Sequence, residues 1–127
     1  MSASAIVENW LTKLKNAWES RDVNAAAKLF EHTVKYYERP FEPVTSQDEI
    51  YKLWQEILDT HDITFDYEIA AITENAKGTR AFVRWQNAYT VTTTGERDEL
   101  DGVFQLDFDS KGNCIEFHMW WFMKPKV

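Results

Sequence analysis

The stretch from Thr79 to Met123 constrains the fold of this chain most strongly. Apolar and aromatic side chains alternate there with polar ones in three segments, which is the pattern of β-strands with one buried face. Gly95-Glu96 and Lys111-Gly112 separate the segments and predict two tight hairpin turns. A fourth strand, from Ile63 to Thr73, joins them through a turn at Asn75-Ala76-Lys77. The stretch therefore predicts four antiparallel strands with one apolar face.

The two turns also predict which residues lie opposite one another. The first turn places Tyr89 opposite Gly102, and the second places Gly102 opposite Trp121. The fourth strand places Tyr67 beside Trp85. All four strands then direct their apolar side chains to the same face, and a slip of one residue in any of them would invert that strand.

The opposite face is predicted to be charged and solvated, apart from one patch. One row across it contains Glu68, Arg84, Asp107 and Glu116, whose alternating signs are typical of a solvated surface. Apolar or aromatic side chains lie at one end of this face: Ala88, Val103, His118, Trp120 and Phe122. Contiguous exposed apolar surface usually marks an interface, so we expect a homodimer through this face.

The segment before the sheet predicts three helices and one short strand. Ser4 and Asp22 are the expected N-caps of the first two helices, and Thr33 to Tyr37 is the short strand. Ser46 with Glu49 forms a capping box that opens the third helix. Because the apolar sheet face needs a cover, the helices should pack on it. The sequence predicts an α+β fold in which a curved antiparallel sheet of four long strands and one short strand wraps over three N-terminal helices.

Composition bounds the class of protein. A chain of 127 residues predicts a single domain spanning residues 1–127. Its net charge of −7 argues against nucleic acid or an anionic membrane as a partner. No apolar run is long enough to span a membrane, and Met1 to Trp10 lacks the core of a signal peptide. The single Cys114 excludes an internal disulfide, and we expect a cytoplasmic protein.

Four segments together resemble the nuclear transport factor 2-like superfamily: "RDVNAAAKLF", "YERPFEP", "SQDEIYKLW" and "DFDSKGNCIEFHMWW". The chain is most similar to the SnoaL-like branch, whose relatives include polyketide cyclases and ketosteroid isomerases. The resemblance implies a cone formed by a curved sheet around a helix, a pocket inside the cone and, usually, a homodimer. Members include isomerases, cyclases, hydrolases, dehydratases and domains without activity, so the fold does not fix a function.

The polar groups that act in ketosteroid isomerases do not carry over. Their tyrosine, general-base aspartate and proton-donating aspartate would fall on Leu14, Arg39 and Phe104. None of these residues can perform the corresponding role. The resemblance therefore does not imply ketosteroid isomerase chemistry.

The predicted inner face supplies the candidate ligand-binding residues. It is expected to carry no Asp, Glu, His, Lys or Arg between Phe65 and Trp121. The candidates are Tyr67, Trp85, Asn87, Tyr89, Gly102 and Trp121. One interpretation is a pocket with aromatic walls and a few orienting polar groups. The other is a packed core in which those polar groups bond to the backbone.

The candidate catalytic residues are Glu38, Arg39 and Asp101. The resemblance places the first two at the mouth of the pocket, where Glu38 could be a base and Arg39 could pair with an anionic ligand group. An exposed pair at a strand end is the alternative. Asp101 faces outward unless a bulge turns it inward, in which case it becomes a spare acid.

No metal or other cofactor is expected. His32, His61 and His118 have no metal-site spacing, although Glu116 shares the outer face with His118. Two functions remain open. The first is a cone pocket that binds a small, mostly apolar or aromatic metabolite and could catalyse proton transfer, cyclisation or dehydration. The second is a non-catalytic dimeric module whose cone is filled.

Overall fold

The computed structural model describes residues 2–126 and, within that range, every side chain except those of residues 31–33. Over this range the chain forms three helices and five strands. They are α1 (Ala3–Glu19), α2 (Val23–Lys28), β1 (Phe30–Tyr37), α3 (Gln47–Thr60), β2 (His61–Asn75), β3 (Gly78–Val91), β4 (Arg97–Phe108) and β5 (Cys114–Met123). The fold is α+β, which confirms the predicted class.

The strands form one unclosed sheet in the order β1-β5-β4-β3-β2. The four long strands are antiparallel neighbours, as predicted. β1 instead lies parallel to β5, so the sheet is mixed. A parallel pair needs a long crossover connection, and the segment containing α3 and the other long strands supplies it.

Polar side chains cap the helices at their N-termini. Asp22 accepts a hydrogen bond from the N–H of Ala25, and Ser46 accepts one from the N–H of Glu49, so both predicted caps are confirmed. The predicted cap at Ser4 is wrong. Ser2 is in the extended conformation and its hydroxyl accepts from the N–H of Ala5, so α1 already begins at Ala3. Within residues 2–126, no helix has both the length and the apolar character needed to cross a membrane.

The register between β3 and β4 differs from the prediction by four residues. Gly102 lies opposite Trp85, and Tyr89 lies opposite Asp98. The predicted two-residue turn is wrong because β3 ends at Val91 and residues 92–96 form a longer loop. That loop is closed by a 2.7 Å hydrogen bond from the N–H of Gly95 to the carbonyl of Val91. Since four is an even number, every side chain keeps its predicted face.

The apolar face of the sheet forms the core with α1. Phe65 and Phe104 are fully buried and lie edge-on to Trp18 of α1, with ring centroids 5.0 and 6.3 Å away. The predicted pairs of Tyr67 with Trp85 and of Gly102 with Trp121 are confirmed. The faces are therefore as predicted, although one register is not.

Gly102 lies in a regular part of β4 and is packed closely on its inner side. A Cβ on this residue would lie 2.5 Å from Cζ2 of Trp85 and 2.2 Å from the backbone oxygen of Trp120. The Trp85 indole occupies the space that any other side chain would need. Gly102 is thus required for close packing of the sheet against this ring.

The charged row on the outer face is also rearranged by the register. Asp107 pairs with Arg80, with 2.6 Å between Oδ1 and Nε, rather than standing in line with Arg84. Arg84 lies opposite Val103 and binds Asp101 at 2.9 Å. The face remains charged, but the predicted row of Glu68, Arg84, Asp107 and Glu116 is wrong.

Side chains of α1 cover part of the free edge of β2. Glu19 Oε2 accepts a hydrogen bond from the N–H of Phe65 at 3.0 Å, and Lys15 Nζ donates one to the carbonyl oxygen of Phe65. Lys15 and Glu19 also bind each other at 3.0 Å. The backbone N–H and carbonyl groups of Phe65 on this edge strand are therefore hydrogen-bonded to side chains of α1.

Candidate functional site

The long strands, the end of β1 and two helices surround a cavity of about 190 Å³. Four tryptophans contribute to its predominantly apolar wall: Trp18, Trp54, Trp85 and Trp121. An engineered apolar cavity of about 150 Å³ in another protein accepts benzene, so this volume suits one ring with a small substituent. Larger depressions, up to about 450 Å³, occur elsewhere on the described surface, but their walls are about as polar as apolar or more polar.

The structure brings five of the predicted site residues together at this cavity. They are Glu38, Trp85, Asn87, Tyr89 and Trp121. Each strand contributes through its inward-facing positions, which is why residues distant in sequence converge. The cavity shows that the cone is not completely filled.

Four other predicted residues lie elsewhere. Tyr67 lies against α1, with its hydroxyl 3.5 Å from Thr12 Oγ1. Gly102 is covered by Trp85, as described above. Arg39 is exposed and does not line the cavity.

Asp101 lies on the outer face because no bulge interrupts the pairing of β4 with β3 around it. Its carboxylate accepts hydrogen bonds from Arg84 at 2.9 Å and from Gln86 at 3.3 Å. The bond from Arg84 lowers the pKa of Asp101, so this acid stays ionised and paired. The inward turn on which its predicted role depended does not occur.

Glu38 is a half-buried carboxyl at the cavity wall. Burial raises its pKa, and the positive charge of the neighbouring Arg39 opposes this shift. A carboxyl with a raised pKa is a stronger base than an ordinary surface carboxylate. Glu38 therefore has the environment of an acid–base group.

The raised pKa of Glu38 predicts a pH effect on stability. The folded protein holds this proton more tightly than the unfolded chain does. The free energy of unfolding should therefore fall as the pH rises above the ordinary pKa of 4.5 towards the raised value. Glu38→Gln removes this contribution, so the variant should gain stability relative to the parent between pH 4.5 and neutrality. Urea unfolding of both proteins across that range measures the difference, and a difference independent of pH would contradict the assignment.

His61 lines the cavity, although the sequence analysis considered it only as a metal ligand and found no metal-site spacing. Its Nδ1 lies 3.0 Å from the carbonyl oxygen of Ile57 and 2.7 Å from Thr60 Oγ1. Because a carbonyl can only accept, the contact with Ile57 requires the tautomer with hydrogen on Nδ1, and Nε2 is the acceptor nitrogen of that tautomer. The alternation along β2 could have revealed this position, because His61 points to the same face of the sheet as Ile63 and Phe65.

Asp98 is an acid on the inner face that the sequence analysis overlooked, although it has the same parity along β4 as Gly102 and Phe104. It lies opposite Tyr89, its side chain is only 11% exposed, and Lys126 Nζ is 3.0 Å from its carboxylate. The contact with Lys126 lowers the pKa of Asp98. Burial raises the pKa of Tyr89, and the adjacent Asp98 carboxylate raises it further. The prediction that no charged side chain lies on this face is therefore wrong at Asp98.

Several buried polar atoms around the cavity lack a hydrogen-bond partner among the described residues. They include Trp18 Nε1, Trp85 Nε1 and Asn87 Oδ1. Unpaired buried polar atoms cost stability and are uncommon in cores optimised only for packing. Their concentration in residues of the cavity wall is typical of a functional site.

Metal ligands do not converge anywhere in the described part of the chain. No group of three or more His, Cys, Asp or Glu side chains has suitable geometry there. His118 Nε2 lies 2.8 Å from Glu116 Oε2 on the outer face, which is a pair rather than a cluster. The side chain of His32 lies outside the described residues.

The predicted apolar patch is exposed on the outer face. We define it as Val103, Trp120 and Phe122. A stacked column of rings joins the patch at Trp120. It contains Tyr37, His118 and Trp120, with successive ring centroids 4.4 and 5.5 Å apart. The patch and the column give this face a shape suited to packing against another flat surface.

Comparison with known proteins supports the resemblance. A model of the SnoaL-like domain matches residues 7–117. No curated protein matches the sequence.

Three solved structures illustrate the similarity of the fold. A candidate scytalone dehydratase from Novosphingobium aromaticivorans has a TM-score of 0.85 and 11% identity over 98% of this chain and 87% of its own. A hexachlorocyclohexane dehydrochlorinase, LinA type 2, has a TM-score of 0.82 and 8% identity over 98% and 89%. A candidate polyketide cyclase from Xanthomonas campestris has a TM-score of 0.77 and 16% identity over 95% and 93%. At these identities the likeness establishes the cone fold and leaves the reaction open.

Proposed function

The chain belongs to the SnoaL-like domain family, and on that basis we propose that it binds a small, mostly apolar or aromatic metabolite in the tryptophan-lined cavity. The observation that carries the proposal is the combination of an apolar wall with a volume of about 190 Å³. A single substituted ring would fill this space and remove apolar surface from water. Asn87 and Tyr89 are available to orient its polar substituent.

Proton transfer is the chemistry that the cavity supports best. In the proposed reaction, Glu38 takes a proton from the bound ligand, and His61 Nε2 is positioned as a second proton acceptor. The Tyr89 hydroxyl stabilises negative charge that develops on the ligand. Such a step occurs in isomerisation, cyclisation and dehydration alike, and the proposal covers this class of reaction.

Arg39 has a different role in this proposal from the one expected. Its side chain is exposed and does not line the cavity, so it is not placed to pair with a carboxylate on a bound ligand. Its charge lowers the pKa of Glu38 against the effect of burial. Arg39 therefore adjusts the fraction of Glu38 that is ionised and able to act as a base.

Filling the cavity should abolish ligand binding. Leu100 lines the cavity from β4 and is half-buried. In Leu100→Trp, the larger ring would occupy the space of the ligand. We expect the affinity for 4-fluorotoluene, measured by ¹⁹F NMR titration, to fall at least roughly 10-fold, which corresponds to about 1.4 kcal/mol.

Leu53→Trp is the matched control, because Leu53 is a half-buried leucine of α3 that does not line the cavity. The control should bind the probe as the parent does. A parent protein that binds no small aromatic probe would refute the proposed function. Binding unchanged in Leu100→Trp would show that the ligand occupies another place.

A second function, a dimeric interaction module, is favoured by the exposed outer face. We propose that two copies associate through the patch of Val103, Trp120 and Phe122 with the adjoining His118. The support is contiguous apolar surface on a sheet face beside an ordered aromatic column. Because the cone contains a cavity, dimerisation and ligand binding are compatible, and a filled cone is not required.

Charging this patch should produce monomers. Trp120→Asp places a carboxylate within the proposed interface, where association of two copies would bury two like charges. We expect the mass from analytical ultracentrifugation to change from two chains to one at micromolar concentration. Lys52→Asp on α3, which also adds a carboxylate to an exposed position, should leave the dimer intact. A Trp120→Asp variant that is still dimeric would rule out this interface.

A further inference from the structure

The exposed large apolar side chains of the described chain fall into two groups. One group is the outer patch. The other contains Phe41, Trp121 and Met123. Trp121 and Met123 line the cavity and are also exposed at its mouth. Phe41 lies in the loop that follows Glu38, which itself lines the cavity.

The loop carrying Phe41 has a fixed base and a free tip. Tyr36 and Val44 exchange two backbone hydrogen bonds, of 2.9 and 2.8 Å, which close residues 37–43 into a compact turn. Glu38 is near the base and lines the cavity. Phe41 is three residues further on, so its Cα lies within about 10 Å of that of Glu38. The tip is thus within reach of the cavity mouth.

Phe41 is held in an unfavourable state in this structure. Its side chain is 96% exposed, and its φ of 72° places the backbone in the left-handed region. Bulky residues rarely adopt that conformation, and an exposed phenylalanine forgoes the gain from burial. A change of φ to an ordinary value would relieve the strain and redirect the ring. Pro40 and Pro43 restrict the neighbouring backbone and confine that change to the tip.

We propose that Phe41 is a ligand-contacting residue of the cavity, and that its loop folds over an occupied site so that the ring packs against the ligand, Trp121 and Met123. This inference rests on the proposed ligand-binding function and adds a residue that determines how tightly the ligand is held. Apolar surfaces on both sides of the mouth become buried together when a ring lies between them.

The test compares two exposed phenylalanines. Phe41→Ala removes the proposed cover, whereas Phe122→Ala removes a side chain that is 72% exposed on the outer face. The affinity and dissociation rate of 4-fluorotoluene are measured by ¹⁹F NMR for the parent and both variants. We expect Phe41→Ala to bind roughly 10-fold more weakly, chiefly through faster dissociation, because burial of a phenylalanine ring is lost. Phe122→Ala should match the parent.

A second measurement reports the contact directly. Nuclear Overhauser effects between the ring protons of the bound probe and the ring protons of Phe41 are expected in the parent protein. Equal affinity in Phe41→Ala, or the absence of these effects with a bound probe, would overturn the role of Phe41 and leave the proposed function standing. Failure of the parent to bind the probe would overturn both. Equal weakening in Phe122→Ala would show that the effect is not specific to the mouth and would also refute the inference.

Discussion

Glu38→Gln is expected to slow proton transfer in the cavity by roughly 100- to 10,000-fold, the usual contribution of a positioned base. Benzisoxazole elimination tests this without knowledge of the natural ligand. The base removes the proton on C3, the electron pair of that bond forms the nitrile, and the N–O bond breaks to give 2-cyanophenolate. The substrate is a small fused ring of the class that the cavity is proposed to hold. Release of the product is followed by absorbance.

Two comparisons make this test specific. Glu42→Gln removes the same charge from an exposed position of the same loop and should leave the rate unchanged. The rate of the parent protein should fall as the pH decreases through the raised pKa of Glu38, because only the carboxylate is a base. A parent protein no faster than an equal concentration of acetate, or a Glu38→Gln variant as fast as the parent, would eliminate Glu38 as the base.

Gly102→Ala is expected to cause the largest loss of stability, about 3 kcal/mol in the free energy of unfolding. The new methyl group would overlap both the Trp85 ring and the backbone oxygen of Trp120. The ring cannot move away freely, because Phe104 stacks on it with centroids 5.2 Å apart. Since Trp85 lines the cavity, its displacement should also weaken binding of 4-fluorotoluene.

Gly95→Ala separates this steric effect from backbone strain. Gly95 has a φ of 74°, but a Cβ there would contact nothing within 4 Å. We expect a loss of only about 1 kcal/mol from the unfavourable conformation, with binding unchanged. Chemical denaturation of both variants measures the losses. A Gly102→Ala protein as stable as the Gly95→Ala protein would show that the sheet relaxes around Trp85.

The arrangement of the faces was predictable, whereas one register was not. The alternation of apolar and polar residues along a strand determines which side chains point inward. This assignment remained correct despite the four-residue error in register, because a shift by an even number of residues does not change the face. The error arose from Thr92, Thr93 and Thr94, whose β-branched side chains favour a strand. In the structure they belong to the connecting loop. Local propensity could not reveal that the hydrogen bonds of that loop would end β3 at Val91.

The sequence was sufficient to predict most aromatic residues of the cavity wall, but it did not reveal all of the polar groups near them. Correct alternation along the strands was sufficient to place three residues at the cavity wall: Trp85, Asn87 and Trp121. Asp98 has the inward parity of Gly102 and was overlooked, whereas its position opposite Tyr89 did depend on the register. His61 was missed because its role depends on Ile57, a residue of the preceding helix, and sequence alternation says nothing about such a contact. Placement of Phe41 relative to the cavity likewise requires the path of the loop in space.

The occupied backbone site on β2 has a consequence for the behaviour of the protein at high concentration. A free strand edge is a template on which a strand of another molecule can add and start uncontrolled polymerisation. Because Lys15 and Glu19 already bind both backbone groups of Phe65, an incoming strand would first have to displace an ion pair. These contacts hinder the addition of a strand at Phe65 and so oppose open-ended polymerisation along β2.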